Sequence, residues 1–203
     1  MTLPSRLLLA AVLGAAALVP AAFAQETSNA VPPTATVAPV LVTLETTAGS
    51  IVLELDANAA PVTVANFVQY VKEGFYDGTI FHRVIPSFMI QGGGYDKGLA
   101  RKQTHAPIAA ESRNGLHNVR GSIAMARTSD PNSATAQFFI NVVDNSMLDY
   151  PSRDGTGYTV FGHVVSGMEA VDRIRDLPTV ARSPEFANLP ENLPVIVHAR
   201  LGK

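Results

Sequence analysis

The most constraining feature of this chain is a series of short segments in which apolar residues return at every second position. Val40, Val42 and Leu44 alternate with Leu41, Thr43 and Glu45, and Ile51, Leu53 and Leu55 alternate with Val52, Glu54 and Asp56. A period of two places each set on one face of an extended strand. With Ala48-Gly49 between the runs, the pattern predicts an antiparallel ribbon with one buried face. Residues 80–90 are rich in aromatic and β-branched types and predict two short strands. They divide at Pro86-Ser87, because proline cannot serve a central ladder position. Further strands are expected over 122–126, 137–142, 158–165 and 195–199. Two segments carry a helical period instead. Pro61 opens a helix to about Lys72 with Val64, Phe67, Val68 and Val71 on one side, and Gly74 stops it. Ser166 and Glu169 have the spacing of a capping box ahead of a second helix, whose apolar face holds Met168, Val171 and Ile174. Residues 95–120 read as loop, and 178–194, with four prolines, as irregular surface. The total is seven or eight short strands and two helices. Strands that need both edges protected favour closure into a barrel with the helices over its ends. On periodicity alone, a sandwich with peripheral helices stays open.

A chain of 203 residues supplies one substantial domain. Its first part does not belong to that domain. Arg6 precedes an apolar run from Leu7 to Val19, and Pro20 ends it ahead of the small-x-small triplet Ala22-Phe23-Ala24. Residues 1–24 therefore read as a secretory leader cut near Ala24, which implies a periplasmic or secreted protein with no stable membrane insertion once the leader is removed. The alternative is a retained anchor. Residues 25–38 lack large aromatics and usable periodicity and read as a disordered linker, so the folded domain is expected to span 39–203. A formal net charge of -2 gives no electrostatic reason to expect a nucleic-acid partner. No large apolar surface stretch argues against a monomer.

The absence of cysteine excludes disulfides, cysteine-based metal centres and thiol catalysis. The five histidines form no H-E-x-x-H or similar metal spacing, and no serine occupies a G-x-S-x-G elbow. Gly92-Gly93-Gly94 follows a strand without a P-loop lysine, so no nucleotide cofactor is indicated. What remains is an arginine set among apolar and amide residues: Phe81-His82-Arg83-Val84-Ile85-Pro86-Ser87-Phe88-Met89-Ile90-Gln91-Gly92-Gly93. A buried guanidinium needs partners for five donors. On this pattern alone, Arg83 either lines a pocket or points outward from a strand. Gln137-Phe138-Phe139-Ile140-Asn141 alternates in a similar way and is open to a plain packing role.

Together these segments resemble a known family. FHRVIPSFMIQGG at 81–93 looks like the central signature of the cyclophilins, the peptidyl-prolyl cis–trans isomerases. GSIAMA at 121–126, ATAQFFI at 134–140 and YTVFGHVVSGME at 158–169 resemble three further family blocks in the same order. The resemblance spans about residues 40–199 and is nearest in style to the bacterial periplasmic branch. It implies a mainly β fold, a closed eight-stranded antiparallel barrel capped by two α-helices. The implied activity is rotation about X–Pro bonds in exported proteins, needing no cofactor and no metal. A proline-peptide-binding chaperone module with little turnover is the alternative. The implied partners are proline-containing unfolded or partly folded polypeptides.

Carried over by position, the resemblance makes Arg83 the catalytic residue. It implies a substrate pocket of Phe88, Met89, Phe139 and Leu148, with Gln91 and Gln137 as amides at its edge. Ala126 and Arg127 match a peptide-binding wall in which the backbone, rather than the Arg127 side chain, pairs with substrate. His82 matches the histidine beside the arginine, in a supporting role. Two positions depart from the family pattern: Met147 stands where a tryptophan is common, and Tyr158 where many members have a histidine. Met147 keeps an apolar contact without the indole donor, and Tyr158 keeps a ring and one hydroxyl.

Overall fold

The computed structural model describes residues 37–202. The expected leader and all but the end of the expected linker lie outside the described residues. Val37 is already tied to the domain, exchanging two 2.9 Å hydrogen bonds with the Asn58 amide.

Ten strands and two helices follow in order: β1 (Val40–Thr46), β2 (Gly49–Leu55), α1 (Pro61–Lys72), β3 (Thr79–Ile85), β4 (Met89–Asp96), β5 (Ser122–Met125), β6 (Phe138–Asn141), β7 (Val160–Ser166), α2 (Met168–Arg175), β8 (Thr179–Val180), β9 (Leu189–Pro190) and β10 (Ile196–Leu201). Eight of the strands form one antiparallel sheet in the order β10-β1-β2-β7-β5-β6-β4-β3. Its two ends meet where Ile80 bridges Val195 and Phe81 N–H donates to the Pro194 carbonyl at 3.0 Å. The sheet thus curls into a barrel that is all but closed, which removes its exposed edges.

The interior is filled by side chains. Val42, Leu44, Ile51, Leu53 and Leu55, the inward set of the first ribbon, are fully buried. Phe67 from α1 packs on Tyr76, Phe138 and Phe161 with ring centroids 4.9, 5.5 and 5.2 Å away. The Tyr76 hydroxyl donates to the Ala136 carbonyl at 2.8 Å, satisfying a buried group that would otherwise be costly. A side chain at Gly93 would lie 2.9 Å from the Phe138 and Tyr76 rings, and its φ of +79° suits glycine. The glycine run therefore belongs to core packing. The α1 N-terminus is capped from outside the helix. Ala60 offers no side-chain acceptor, and the Glu111 carboxylate receives Val62 N–H (3.1 Å), Thr63 N–H (2.8 Å) and the Thr63 hydroxyl (2.7 Å).

Two sequence expectations are corrected. Ser166 does not cap α2, because it is still paired with Val52 in the sheet; Gly167, at φ +91°, makes the turn into the helix. A Cβ there would fall 2.1 Å from the Ser50 carbonyl, so no capping side chain fits. Residues 178–194 are more than irregular surface. They form the β8–β9 ribbon and bring Phe186 and Leu189 onto Ile80, Tyr95 and Val195 as a second apolar cluster.

Candidate active site

The site lies on the outer wall of the barrel, where β3, β4, β6 and β5 run side by side. In the ladder, Gln91 sits opposite Phe139 and Phe139 opposite Ala124. Alternate residues of these strands therefore share a face, and Met89, Ala124, Phe139 and Val160 form a buried cluster there, separate from the barrel core.

A bulge aims the arginine. Phe81 pairs with Gly92 and Arg83 with Gln91, so His82 is an extra residue on β3. Without the bulge, Phe81 and Arg83 would share a face. With it, Phe81 and Val84 enter the core while Arg83 turns to the outer cluster. The guanidinium Nη1 donates to Gln91 Oε1 at 3.3 Å and lies 3.8 Å from Met89 Sδ, with Cζ 5.9 Å from the Phe88 ring centroid. Gln91 Nε2 in turn donates to Gln137 Oε1 at 3.0 Å. Burial lowers the Arg83 pKa from its ordinary value, although the group stays cationic at any relevant pH. Among the described residues its hydrogen bonds go to an amide and a thioether, not to a carboxylate.

Arg83, Phe88, Met89, Gln91, Ala126, Arg127, Phe139, Leu148 and Tyr158 line one cleft of about 140 Å³. Pockets for drug-sized ligands are larger, roughly 300–1,000 Å³; this one suits a single side-chain ring. Phe139 and Tyr158 meet edge-on, 5.8 Å apart, across its apolar wall. Leu148 comes from a 3₁₀ turn over Ser146–Leu148.

Gln137 stands at the edge of the cup, bonded to Gln91, and lines an adjoining polar cleft that shares Gln91, Ala126 and Arg127 with it. Two expected residues sit elsewhere. Met147 is 59 % exposed and does not line the cup, because the 3₁₀ turn points Leu148 inward instead. His82 is buried on the other side of β3, its ring 4.6 Å from that of Tyr95, and its Nδ1 has no partner among the described residues. Burial, followed by the Arg83 charge, lowers its pKa to about 4, so it is neutral at pH 7. The other histidines do not join it: His105 bonds Glu73 and His117 bonds Asp149. Among the described residues no group of three His, Asp or Glu side chains could hold a metal ion. No helix among them is long and apolar enough to cross a membrane.

Sequence reasoning missed a chain of buried amides behind the cup. Asn145 Nδ2 donates to the Phe88 carbonyl (2.8 Å) and to Asn141 Oδ1 (2.6 Å), and Asn141 Nδ2 reaches Asn118 Oδ1 (3.2 Å) and Ser122 Oγ (2.9 Å). Asn118 is anchored on Asp149 Oδ1 by its N–H (2.7 Å) and its amide (2.9 Å). The chain joins the start of β4 to the turn that carries Leu148. Asn141 and Asn145 close an apolar strand and open a loop, and such positions read as ordinary turn residues in sequence.

The family model for cyclophilin-type peptidyl-prolyl cis–trans isomerases matches residues 41–199. Peptidyl-prolyl cis-trans isomerase A of Dickeya dadantii is 54 % identical over 162 residues, 80 % of this chain and 84 % of that protein. Peptidyl-prolyl cis-trans isomerase B of Escherichia coli is 52 % identical over 153 residues, 74 % of this chain and 93 % of the relative. In fold, the chain is similar to a Cryptosporidium parvum cyclophilin-type isomerase, with a TM-score of 0.67 over 81 % of this chain and 98 % of that one at 24 % identity. A cyclophilin from Hirschia baltica gives a TM-score of 0.63 over 79 % of this chain and 73 % of that one at 25 % identity. Sequence and barrel thus agree over the whole stretch that builds the cleft, and the chain belongs to the cyclophilin-type peptidyl-prolyl cis–trans isomerases, enzymes that need no cofactor.

Proposed function

We propose that the cleft holds the ring of a substrate proline and that Arg83 stabilises the X–Pro bond in its twisted state. Resonance gives that bond partial double character, and rotation faces a barrier of roughly 18–20 kcal/mol. At about 90° of twist the resonance is lost, and the proline nitrogen regains a lone pair that accepts a hydrogen bond. Neither planar isomer offers that acceptor, so a donor fixed beside the ring binds the transition state selectively. The observation that carries this reading is a half-buried guanidinium at the cup whose partners are one amide oxygen and one sulfur, which leaves N–H groups for the substrate.

Phe88, Met89, Phe139 and Leu148 hold the ring, and Gln91 with the Ala126 backbone fixes the flanking peptide. One side of the bond is then anchored while the other turns. To shorten a relaxation of about 100 s to about 1 ms takes a factor of about 10⁵, or roughly 7 kcal/mol. A charge-assisted hydrogen bond contributes roughly 1.5–3 kcal/mol, so anchoring and desolvation supply the rest.

The clients proposed are exported proteins whose slow folding step is proline isomerisation. This context, periplasmic or secreted, rests on the pattern of residues 1–24. The domain acts as a monomer in this reading. A protease-coupled isomerisation assay on the chain from Gln25 tests the mechanism. Arg83→Ala is expected to lower kcat at least about 12-fold, the low end of the loss from one such bond, with peptide affinity much less affected. Parent-like turnover in that variant would leave a peptide-binding module whose arginine plays no part in catalysis.

A further inference from the structure

Two arginines reach the cleft, and they are used in opposite ways. Arg83 has few partners; the Arg127 guanidinium is almost entirely committed. The Arg127 side chain is only 4 % exposed. Its Nε donates to the Gly157 carbonyl at 3.0 Å and Nη1 to the Thr128 carbonyl at 2.9 Å. Nη2 reaches the Gly157 carbonyl and the Thr156 hydroxyl, both at 2.9 Å, and also bonds the Asp154 carboxylate. Its Cζ sits 4.3 Å from the centroid of the Tyr158 ring. Asp154 accepts further bonds from Thr156 N–H (3.0 Å) and Gly157 N–H (3.3 Å), so the arginine and the 152–157 loop form one unit.

That loop is the approach to Tyr158, and it contains neither helix nor strand. The Tyr158 main chain is fixed by one bond, its N–H to the Leu148 carbonyl at 2.9 Å. Its ring touches Phe139 edge-on, which sets one contact but not the rotamer. The Arg127 plane over the ring supplies the missing constraint, and the loop carbonyls and Asp154 hold that plane in place.

We propose that Arg127 is a positioning residue that locks Tyr158 as a wall of the proline cup by stacking on its ring while its fork ties down residues 154–157. This rests on the cup taking the proline ring, as argued above. The Arg127 guanidinium makes no substrate hydrogen bond in this reading, because its donors are taken by residues 154–157 and by the Thr128 carbonyl. A lysine would keep the charge but could not hold three loop acceptors in one plane.

The test is a double-mutant cycle on the full chain, with affinity for a proline peptide from titration and KM and kcat from the isomerisation assay. Arg127→Ala is expected to weaken peptide binding about thirtyfold, the equivalent of one desolvated cation–π contact, with the loss falling in KM rather than kcat. Tyr158→Ala should weaken binding to a similar degree, and adding Arg127→Ala to it should cost nothing more. Equal losses from Arg127→Ala in both backgrounds, or none in the parent, overturn the proposal. Should the alanine variant not fold, Arg127→Lys takes its place in the cycle and the same two outcomes decide. If Tyr158→Ala and Phe139→Ala both leave affinity intact, the cup reading itself has failed; a silent Arg127→Ala beside a weakened Tyr158→Ala removes only the lock.

Discussion

Lowering the pH from 7 to 4.5 should cost this domain about 2.5 kcal/mol through His82 alone. The imidazole is 3 % exposed, packed against Tyr95 and Phe186, and adjacent to Arg83, so its folded-state pKa is lowered to about 4. An unfolded histidine titrates near 6.5. Between the two values the unfolded chain binds the extra proton and the folded chain does not, so stability falls as pH falls. The full shift corresponds to about 3.4 kcal/mol, at about 1.36 kcal/mol per unit, and most of it is lost by pH 4.5. The window is open to measurement because the lowered carboxylates, Glu73, Asp149, Asp154 and Asp176, begin from ordinary values of 4.5, 3.8, 3.8 and 3.8 and act mainly at lower pH. Urea unfolding at half-unit steps from pH 7 to 4.5 reads the slope, and His82→Leu should flatten it. The titration of the His82 ring by NMR gives the pKa directly. That pKa should rise in Arg83→Ala, since the neighbouring charge is its second cause. A His82→Leu variant with the parent's pH slope would refute the reasoning, because the loss would then come from other groups.

Phe139→Ala should both destabilise the fold by about 3 kcal/mol and weaken proline-peptide binding roughly tenfold, because the ring is 4 % exposed and forms a wall of the cup; unchanged affinity in a titration would remove Phe139 from the site. Glu111→Ala should cost about 1–2 kcal/mol in urea unfolding by leaving two α1 N–H groups and the Thr63 hydroxyl without their acceptor. A loss below about 0.3 kcal/mol would mean that water caps the helix as well as the carboxylate does.

The parts of the fold that could be read in the sequence are those where one local period decides burial. In β1 and β2 the alternating residues Val42, Leu44, Ile51, Leu53 and Leu55 are all fully buried, and only Val40 at the strand's start is half-buried, because a one-residue slip would expose the whole set. In α1 the expected Val64, Phe67 and Val71 are buried and Val68 half-buried, but the face also takes in Thr63 and Tyr70; Tyr70 is fully buried, with its hydroxyl accepting from His105 N–H at 2.9 Å. The illegible parts depend on partners far along the chain. Glu111 caps a helix 49 residues earlier, and Phe186 covers Ile80 and Tyr95. His82 could not be placed because the bulge at 81–83 breaks the alternation that a sequence reading must assume. Most of the cup came from the motif resemblance, and alternation alone left even Arg83 undecided. The resemblance pointed to most of the residues that line the cup but also to His82 and Met147, which do not, and the commitment of Arg127 to the 152–157 loop depends on contacts that no local pattern encodes.

The outer position of the site has a physical cause that also suggests how such a site announces itself. The barrel interior is packed with rings from Phe67, Tyr76, Phe81, Phe138 and Phe161, so it offers no lumen for a ligand. A site on this fold must therefore be built on the outside, where strands are ordinarily polar at every second position. β4 and β6 break that rule: Ile90 and Phe138 face the core, while their neighbours Met89 and Phe139 face the cleft and are almost as deeply buried. Covering this second apolar face takes the 3₁₀ turn with Leu148, the Tyr158 segment and the Arg83 stem, and what they leave uncovered is the cup. In a barrel already filled by one set of alternating residues, an apolar run such as Phe138-Phe139-Ile140 has one face too many for the core. The surplus face marks the wall on which a ring-shaped ligand can replace solvent.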